Sequence, residues 1–442
     1  MKAYITIVSL VLAFATASAQ GPLQLSMQQA LDLAARQSYQ VQVSEIEAQK
    51  ARERIKEVTA MGLPQINGSV SLQNYIDVPT QVVPNFFGGD PELIEVQFGV
   101  PWTANAGVRL DQLIFDGSYL LGLKAAREVR KQSDEDLERT IRDAKVQAAK
   151  AYYGVLAADE GARIMDESIP LLERSVNEIQ VMANNGFVES IDVDRLQIEL
   201  MQARDRKLVF ERQAELARNF LRFVLGVPTG TPIELTDELD MLIESPAESA
   251  LDNEPLLLEK HVEHRMASTM LRVQTLQMRA GRAAFLPSLG GFFAHQQQWN
   301  AIDLEPFNGP IPWFPATLWG VNLNIPIFSS GQRGSKLQQA KLGLAQAEVN
   351  LEATEERLRL EHLQRQNDLL TARDLYQSEK ERMELAKNIW ERTSLKFTEG
   401  LSSSFELTQE HGNFLMAQQT YIQSIVTLLQ ARADMRKALD MY

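Results

Sequence analysis

The 442-residue sequence predicts a mainly α-helical chain that also carries membrane-type β-strands, arranged as a two-fold internal repeat. Three observations point there. Two stretches of roughly sixty residues, Tyr119 to Ala183 and Lys336 to Phe397, hold a single proline between them, Pro170. Four segments of about ten residues alternate, or nearly alternate, apolar and polar side chains. Three sequence patterns occur twice, in the same order.

The N-terminus comes first. Met1-Lys2-Ala3-Tyr4, an apolar run from Ile5 to Ala15 and Ala17-Ser18-Ala19 before Gln20 have the form of a secretory signal peptide over residues 1–19. The run is far below the ~20 residues of a spanning helix. Later apolar stretches are all interrupted by charge or amide, so a bilayer can be crossed only by a closed barrel. The chain has no cysteine, which excludes disulfides, thiolate metal sites, a cysteine nucleophile and lipobox acylation. A net charge of −14 disfavours nucleic-acid binding.

The repeat sets the order of elements. Gly62 to Asn74 is echoed at Phe285 to Gln297, Leu113 to Arg127 at Pro326 to Lys341, and Asn184 to Ala203 at Thr398 to Ala417, at offsets of 213 to 223 residues. Each half reads as helix, strand, long loop, strand, very long helix, tight turn, helix. Proline and glycine mark the loops at 79–101 and 303–315.

The strands are of membrane length. Ile66, Gly68, Val70 and Leu72 oppose Gln65, Asn67, Ser69, Ser71 and Gln73. Trp102, Ala104, Ala106, Val108 and Leu110 oppose Thr103, Asn105, Gly107, Arg109 and Asp111. Trp319, Val321, Leu323 and Ile325 oppose Asn322 and Asn324. In Ser288 to Gln298 Phe292 is out of phase. Trp102, Trp299, Trp313 and Trp319 are expected at strand ends, as an interfacial aromatic belt requires. A soluble sandwich with one wet face is the alternative. Four strands cannot enclose a lumen, so a pore needs several chains.

The helices follow coiled-coil spacing. Leu137, Ile141, Ala144, Ala148, Tyr152, Val155, Ala162, Met165, Ile169, Leu172, Val176 and Ile179 fall on steps of three and four. So, with gaps, do Leu337, Ala340, Leu344, Ala347, Leu351, Leu358, Leu369, Ala372, Tyr376, Met383, Ala386 and Trp390. At ~1.5 Å per residue each long helix spans on the order of 90–100 Å. Pro170 is expected to kink or break the first. Each ends at a glycine turn, Asn184-Asn185-Gly186 or Glu399-Gly400, with Ser190 and Ser404 placed to cap the next helix.

These segments together resemble the TolC family of trimeric outer-membrane efflux proteins, the outer membrane factors. The marks are Leu25 to Gln42 (LSMQQALDLAARQSYQVQ), Leu63-Pro64 and Leu286-Pro287 at strand entries, Ile114-Phe115 and Ile327-Phe328 at turns, and the two tips. The resemblance implies a long α-helical barrel in the periplasm plus four β-strands per chain contributed to a trimeric 12-stranded transmembrane β-barrel in the bacterial outer membrane. The parts would be equatorial helices at 20–62, strand pairs at 63–117 and 286–330, helical hairpins at 118–225 and 331–442, and an equatorial region at 226–285. Partners would be two further copies (a homotrimer), outer-membrane lipid, a periplasmic adaptor (membrane fusion) protein and an inner-membrane transporter. The function implied is the passive exit duct of a tripartite efflux or type I secretion system.

The resemblance also supplies candidate residues. Asp192 matches the family's tip aspartate. Its usual arginine partner falls on Ser402, the usual tyrosine on Phe397, and the two ring aspartates on Glu406 and Gln409. One acidic ring would remain and the other is neutral. A lock would need other partners, with Arg195 and Glu406 as candidates; all these are equally readable as solvated helix-tip groups. Gly186, Phe187, Val188, Gly400, Leu401 and Ser403 are expected to meet the adaptor, or serve turn geometry alone.

No catalytic, cofactor or metal signature emerges. There is no phosphate-cradling loop and no HExxH. His261 and His264 read as a solvated helix face, since two imidazoles do not complete a metal site. The sequon-like Asn67-Gly68-Ser69 lies in a strand. The competing readings are a periplasmic coiled-coil scaffold without a pore and an enzyme for which no site is found.

Overall fold

The computed structural model describes residues 23–84, 93–243, 254–303 and 313–442. The signal-peptide segment and the loop prolines Pro91, Pro306, Pro310 and Pro312 lie outside them. The described residues fall into two compact units, one within 49–132 and 268–350, the other within 23–48, 133–267 and 351–442.

The first unit holds a four-stranded antiparallel sheet. β2 (Gln65–Asn74) pairs with β5 (Trp102–Phe115), β5 with β7 (Ser288–Ala301), and β7 with β8 (Phe314–Asn324). The register aligns the apolar alternation of neighbouring strands. Ile66, Leu110, Phe293 and Trp319 stand side by side across all four strands, and Val70 faces Ala106 on the same side. Gln65 and Asp111, Asn67 and Arg109, and Ser69, Gly107 and Gln296 make the opposite face. Because side chains alternate with period two, a one-residue slip would scramble both faces.

Phe292 now has a reason to be out of phase. It shares the polar face with Asp111 and Gly320. The Arg109 guanidinium lies 4.6 Å from its ring centroid and pairs with Asp111 at 3.0 Å. Gly320 leaves the room: a Cβ there would come within 2.8 Å of the ring.

Three strand expectations need correction. Trp319 is in the middle of β8, not at its end. Trp299 lies near the end of β7 but is only 1% exposed, so within this chain it is a packed residue rather than a belt residue. The first long loop is not featureless. It contains a hairpin, β3 (Thr80–Pro84) with β4 (Leu93–Gln97), whose strands are too short to show in the hydrophobic period.

Beneath the sheet, Tyr119 fills the space that Gly62 leaves and donates its hydroxyl to the Thr59 carbonyl at 3.1 Å. Ile114 and Phe115, expected at a turn, are the last residues of β5, and Asp116 directly after them caps α3 (Gly117–Asn184) by accepting from the Tyr119 amide at 2.9 Å. Strand end and helix start are thereby fixed by neighbouring residues.

The second unit is helical. Its main elements are α1 (Met27–Gln37), the long α3, α4 (Ser190–Leu225), the long α7 (Gln332–Thr398) and α8 (Ser404–Ala438), with a short parallel pair of β1 (Leu23–Leu25) and β6 (Ile233–Leu235) and the short α5 (Leu239–Ile243). Helices α2 (Tyr39–Ala60) and α6 (Val262–Ala283), like α3 and α7, contribute residues to both units. Every residue of the two three-and-four grids is buried or half-buried. α3 continues unbroken through Pro170. The proline removes only one backbone donor, and the buried Leu172 and Ile179 beyond it keep the following turns packed.

At the centre of the core Tyr152 donates its hydroxyl to the Leu25 carbonyl and to Asp237, each at 2.9 Å. Asp237 also accepts from the Met27 amide at 2.6 Å. Burial and the Asp237 charge raise the phenol pKa, so the hydroxyl stays a donor.

The two histidines of the His261–His264 pair are not on a solvated face. His261 is 3% exposed, and burial lowers its pKa. His264 lies 3.3 Å from Glu355. They flank an ion network. Arg142, buried, reaches Asp143 and Glu263 at 3.1 Å and Asp440 at 3.0 Å. Glu263 also meets Arg357 at 2.5 Å, and Asp440 accepts from the Val262 amide at 3.0 Å. The network ties α3, α6, α7 and the chain's last residues together. No cluster suited to a metal is present among the described residues.

Candidate gate and docking tips

The two helical hairpins end in turns with the same hydrogen-bond pattern. At the first, Gly186 has φ +77°, its amide donates to Ala183 and the Phe187 amide donates to Met182, both at 3.0 Å. At the second, Gly400 has φ +73°, its amide donates to Phe397 at 3.0 Å and the Leu401 amide to Lys396 at 2.8 Å. Each is a left-handed helix end that satisfies orphan carbonyls, which is what glycine permits there. Phe187 and Leu401 then project outward, 77% and 73% exposed. Val188 is half-buried against the tip core.

The caps are shifted by one residue from expectation. Ser403, not Ser404, caps α8: its hydroxyl accepts from the Glu406 amide at 3.2 Å and Glu406 accepts in return from the Ser403 amide at 3.3 Å. This is a capping box, in which serine and a glutamate three residues on satisfy each other's backbone donors. Glu189, not Ser190, is the cap position of α4, and its amide donates to Asp192 at 3.3 Å.

Asp192 is the polar centre of the tip. Besides the Glu189 amide it accepts from the Ser404 hydroxyl and from Arg195 at 3.2 Å. The Ser404 bond joins α4 to α8, so it fastens the two hairpins within one chain. Arg195 and Glu406 are not paired with each other. Arg195 turns to Asp192 and lies 5.7 Å from the Phe405 ring. Glu406 accepts from Ser402 at 2.5 Å, and that bond together with the Ser403 amide lowers its pKa. It is solvent-facing and ionised. Gln409 donates to Asn413 at 3.3 Å on its own helix. Phe397 is not at the surface. It is buried with Ile179, Val193, Leu196 and Leu407.

Above this layer lies a group that sequence reading missed. His411 is buried between α4, α7 and α8. Its ring lies 5.5 Å from that of Trp390, which stacks on Phe414 at 5.3 Å. Glu199 is 4.0 Å away. Burial, with Arg206 adding to it, pushes the imidazole down to about 4. His411 lies within the repeated segment Thr398 to Ala417, but its counterpart in the first copy is Gln197, so the repeat carried no signal for a buried imidazole.

The chain thus combines a helical double hairpin with capped tips and a four-stranded sheet with one apolar and one polar face. The family model described as "Outer membrane efflux protein" matches residues 30–227 and 248–440. The chain therefore belongs to the outer membrane efflux protein family. It is 24% identical over 352 residues to the probable efflux pump outer membrane protein TtgC of Pseudomonas putida, covering 76% of this chain and 69% of that one. It is 22% identical over 344 residues to the outer membrane protein TolC of Vibrio cholerae, covering 74% and 76%. Among solved structures, the CmeC outer membrane channel of Campylobacter jejuni superposes with a TM-score of 0.72 at 17% identity, over 93% of this chain and 85% of that one. The chain is an outer-membrane protein with its helical part in the periplasm.

Proposed function

We propose that three copies of the chain form a passive exit duct through the outer membrane, docked at its periplasmic tips onto an adaptor that couples it to an inner-membrane pump. The observation that carries this reading is the sheet register. It gathers apolar residues on one exposed face, and among the described residues β2 and β8 each have one paired neighbour. Open edges in lipid are untenable. An even number of antiparallel strands lets β8 of one copy pair with β2 of the next, and three sheets of four close a twelve-stranded cylinder. A second feature supports it. Ile191, Ile198, Met201, Leu208, Leu216 and Phe223 form an exposed apolar stripe along α4, and Leu360, Leu363 and Leu370 another on α7. Stripes of that length call for a covering helix, which a neighbouring copy would supply.

In this reading Glu406 of each copy forms an acidic ring at the entrance, while Phe187 and Leu401 are the apolar contacts offered to the adaptor. The test is reconstitution of the detergent-extracted protein in planar bilayers after sizing. A trimer with cation-preferring conductance is expected. Glu406→Gln should lower the cation-to-anion permeability ratio, with the pore still forming. A water-soluble monomer that never conducts would end the duct reading; an unchanged ratio in the variant would end the ring.

A further inference from the structure

We infer that a cavity within the helical unit is a binding site for a small organic cation with an apolar body. The cavity holds about 770 Å³ and is walled by α3, the segment running into α5, α7 and α8. That volume suits a ligand of drug size, and the space between helices of a bundle is a common place for one.

Its chemistry is two-sided. The floor is apolar: Phe414, Ile422 and Ile425 are buried side chains that present carbon to the space. The rim carries five carboxylates against two cationic residues, Arg163 and Lys387. Three of the five are engaged elsewhere. Asp237 holds Tyr152 and the Met27 amide, and Glu160 and Glu167 both hold Arg163. Asp159 gives one oxygen to Arg218 at 2.6 Å and keeps the other. Glu238, exposed at the rim, has no hydrogen-bond or ion-pair partner among the described residues. Burial raises the Asp159 pKa against the pull of Arg218, so its charge is under-solvated and gains from a further cation.

The cavity therefore offers an ammonium group a free carboxylate at Glu238 and a second oxygen at Asp159, and offers a hydrocarbon or aryl body the surface of Phe414, Ile422 and Ile425. An anion meets an excess of carboxylates. A neutral analogue keeps the floor and loses the rim. Because α3 belongs to one hairpin and α7 and α8 to the other, an occupant bridges the two.

The experiment is calorimetric titration of the detergent-solubilised full chain, blanked against micelles alone. The probes are 4-phenylbutylammonium, 4-phenylbutanol and 4-phenylbutyrate. Saturable binding of the ammonium at one site per chain is expected, at least tenfold tighter than either analogue. Glu238→Gln should weaken it severalfold, and Met383→Trp, which fills the cavity from α7, should abolish it. Equal affinity for the three probes overturns the inference, as does undiminished ammonium binding by Glu238→Gln or by a folded Met383→Trp. Glu238 is exposed, so its variant decides the matter if Met383→Trp does not fold. The titration needs neither a trimer nor a pore, so its failure is separate from failure of the duct.

Discussion

Acid acts on His411 and Glu263 over different pH windows, with the same sign. His411, held at about 4 by burial, takes a proton from about pH 6.5 downward only in the unfolded chain. Stability from its neutral form is full above about 6.5 and is lost as the pH falls to about 4, a term on the order of 3 kcal/mol. For Glu263, burial alone would raise the carboxyl, but hydrogen bonds and charge from Arg357 and Arg142 outweigh it and hold it at about 2, against an ordinary 4.5. Its contribution is present above 4.5 and is lost as the pH falls through 2, again on the order of 3 kcal/mol. Thermal unfolding followed by circular dichroism separates them. His411→Phe should flatten the decline in Tm between pH 6.5 and 4 and leave the decline below 4 in place. Glu263→Gln should cost about 3–5 kcal/mol at pH 7, because Arg142 is left buried without one of its partners, and should flatten the decline below 4.5. A variant that flattens the other's window refutes the assignment. Neither residue's role was legible in the sequence. His411 is an isolated histidine on a helix, and the partners of Glu263 lie 121 and 94 positions away, brought together only by packing.

The long helices are where sequence and structure agree most closely, and the reason is physical. A helix of 68 residues such as α3 must bury a continuous stripe, so its three-and-four spacing is imposed at every turn and is visible in the letters. Helix ends are set by single hydrogen bonds instead, and there the reading missed by one residue: Ser403 caps where Ser404 was expected, and Glu189 where Ser190 was. Phe292 broke the strand pattern because it answers to Arg109 and to the space over Gly320, both contributed by other strands. Pro170 tests how far packing overrides local preference. The helix runs through it although a mid-helix proline costs ~3 kcal/mol or more. Pro170→Ala restores a donor without adding bulk. It should raise the unfolding midpoint and leave helical content unchanged. A lower midpoint would show that the turn before residue 170 depends on the proline.

At the scale of the molecule, alternation alone left two readings of the strands, a membrane barrel and a soluble sheet with one wet face. The register narrows the comparison to a pair of neighbouring positions on one strand. Val70 is 85% exposed on the apolar face of β2, and Ser69 next to it is exposed on the polar face. In water the two sites are equivalent, and lysine at either would be tolerated within about 0.5 kcal/mol. In a barrel they are not. Lysine at Val70 meets hydrocarbon, at a cost of ~2–4 kcal/mol near the bilayer midplane in each of three copies. Lysine at Ser69 meets the water-filled interior. Val70→Lys should therefore deplete the protein from outer membranes and from the trimer band of a native gel, while Ser69→Lys should leave both near the parent level. Loss on both sides alike would point to a strand packed on both faces. Tolerance on both would mean that the Val70 face is wet, and the twelve-stranded cylinder would have no lipid to face.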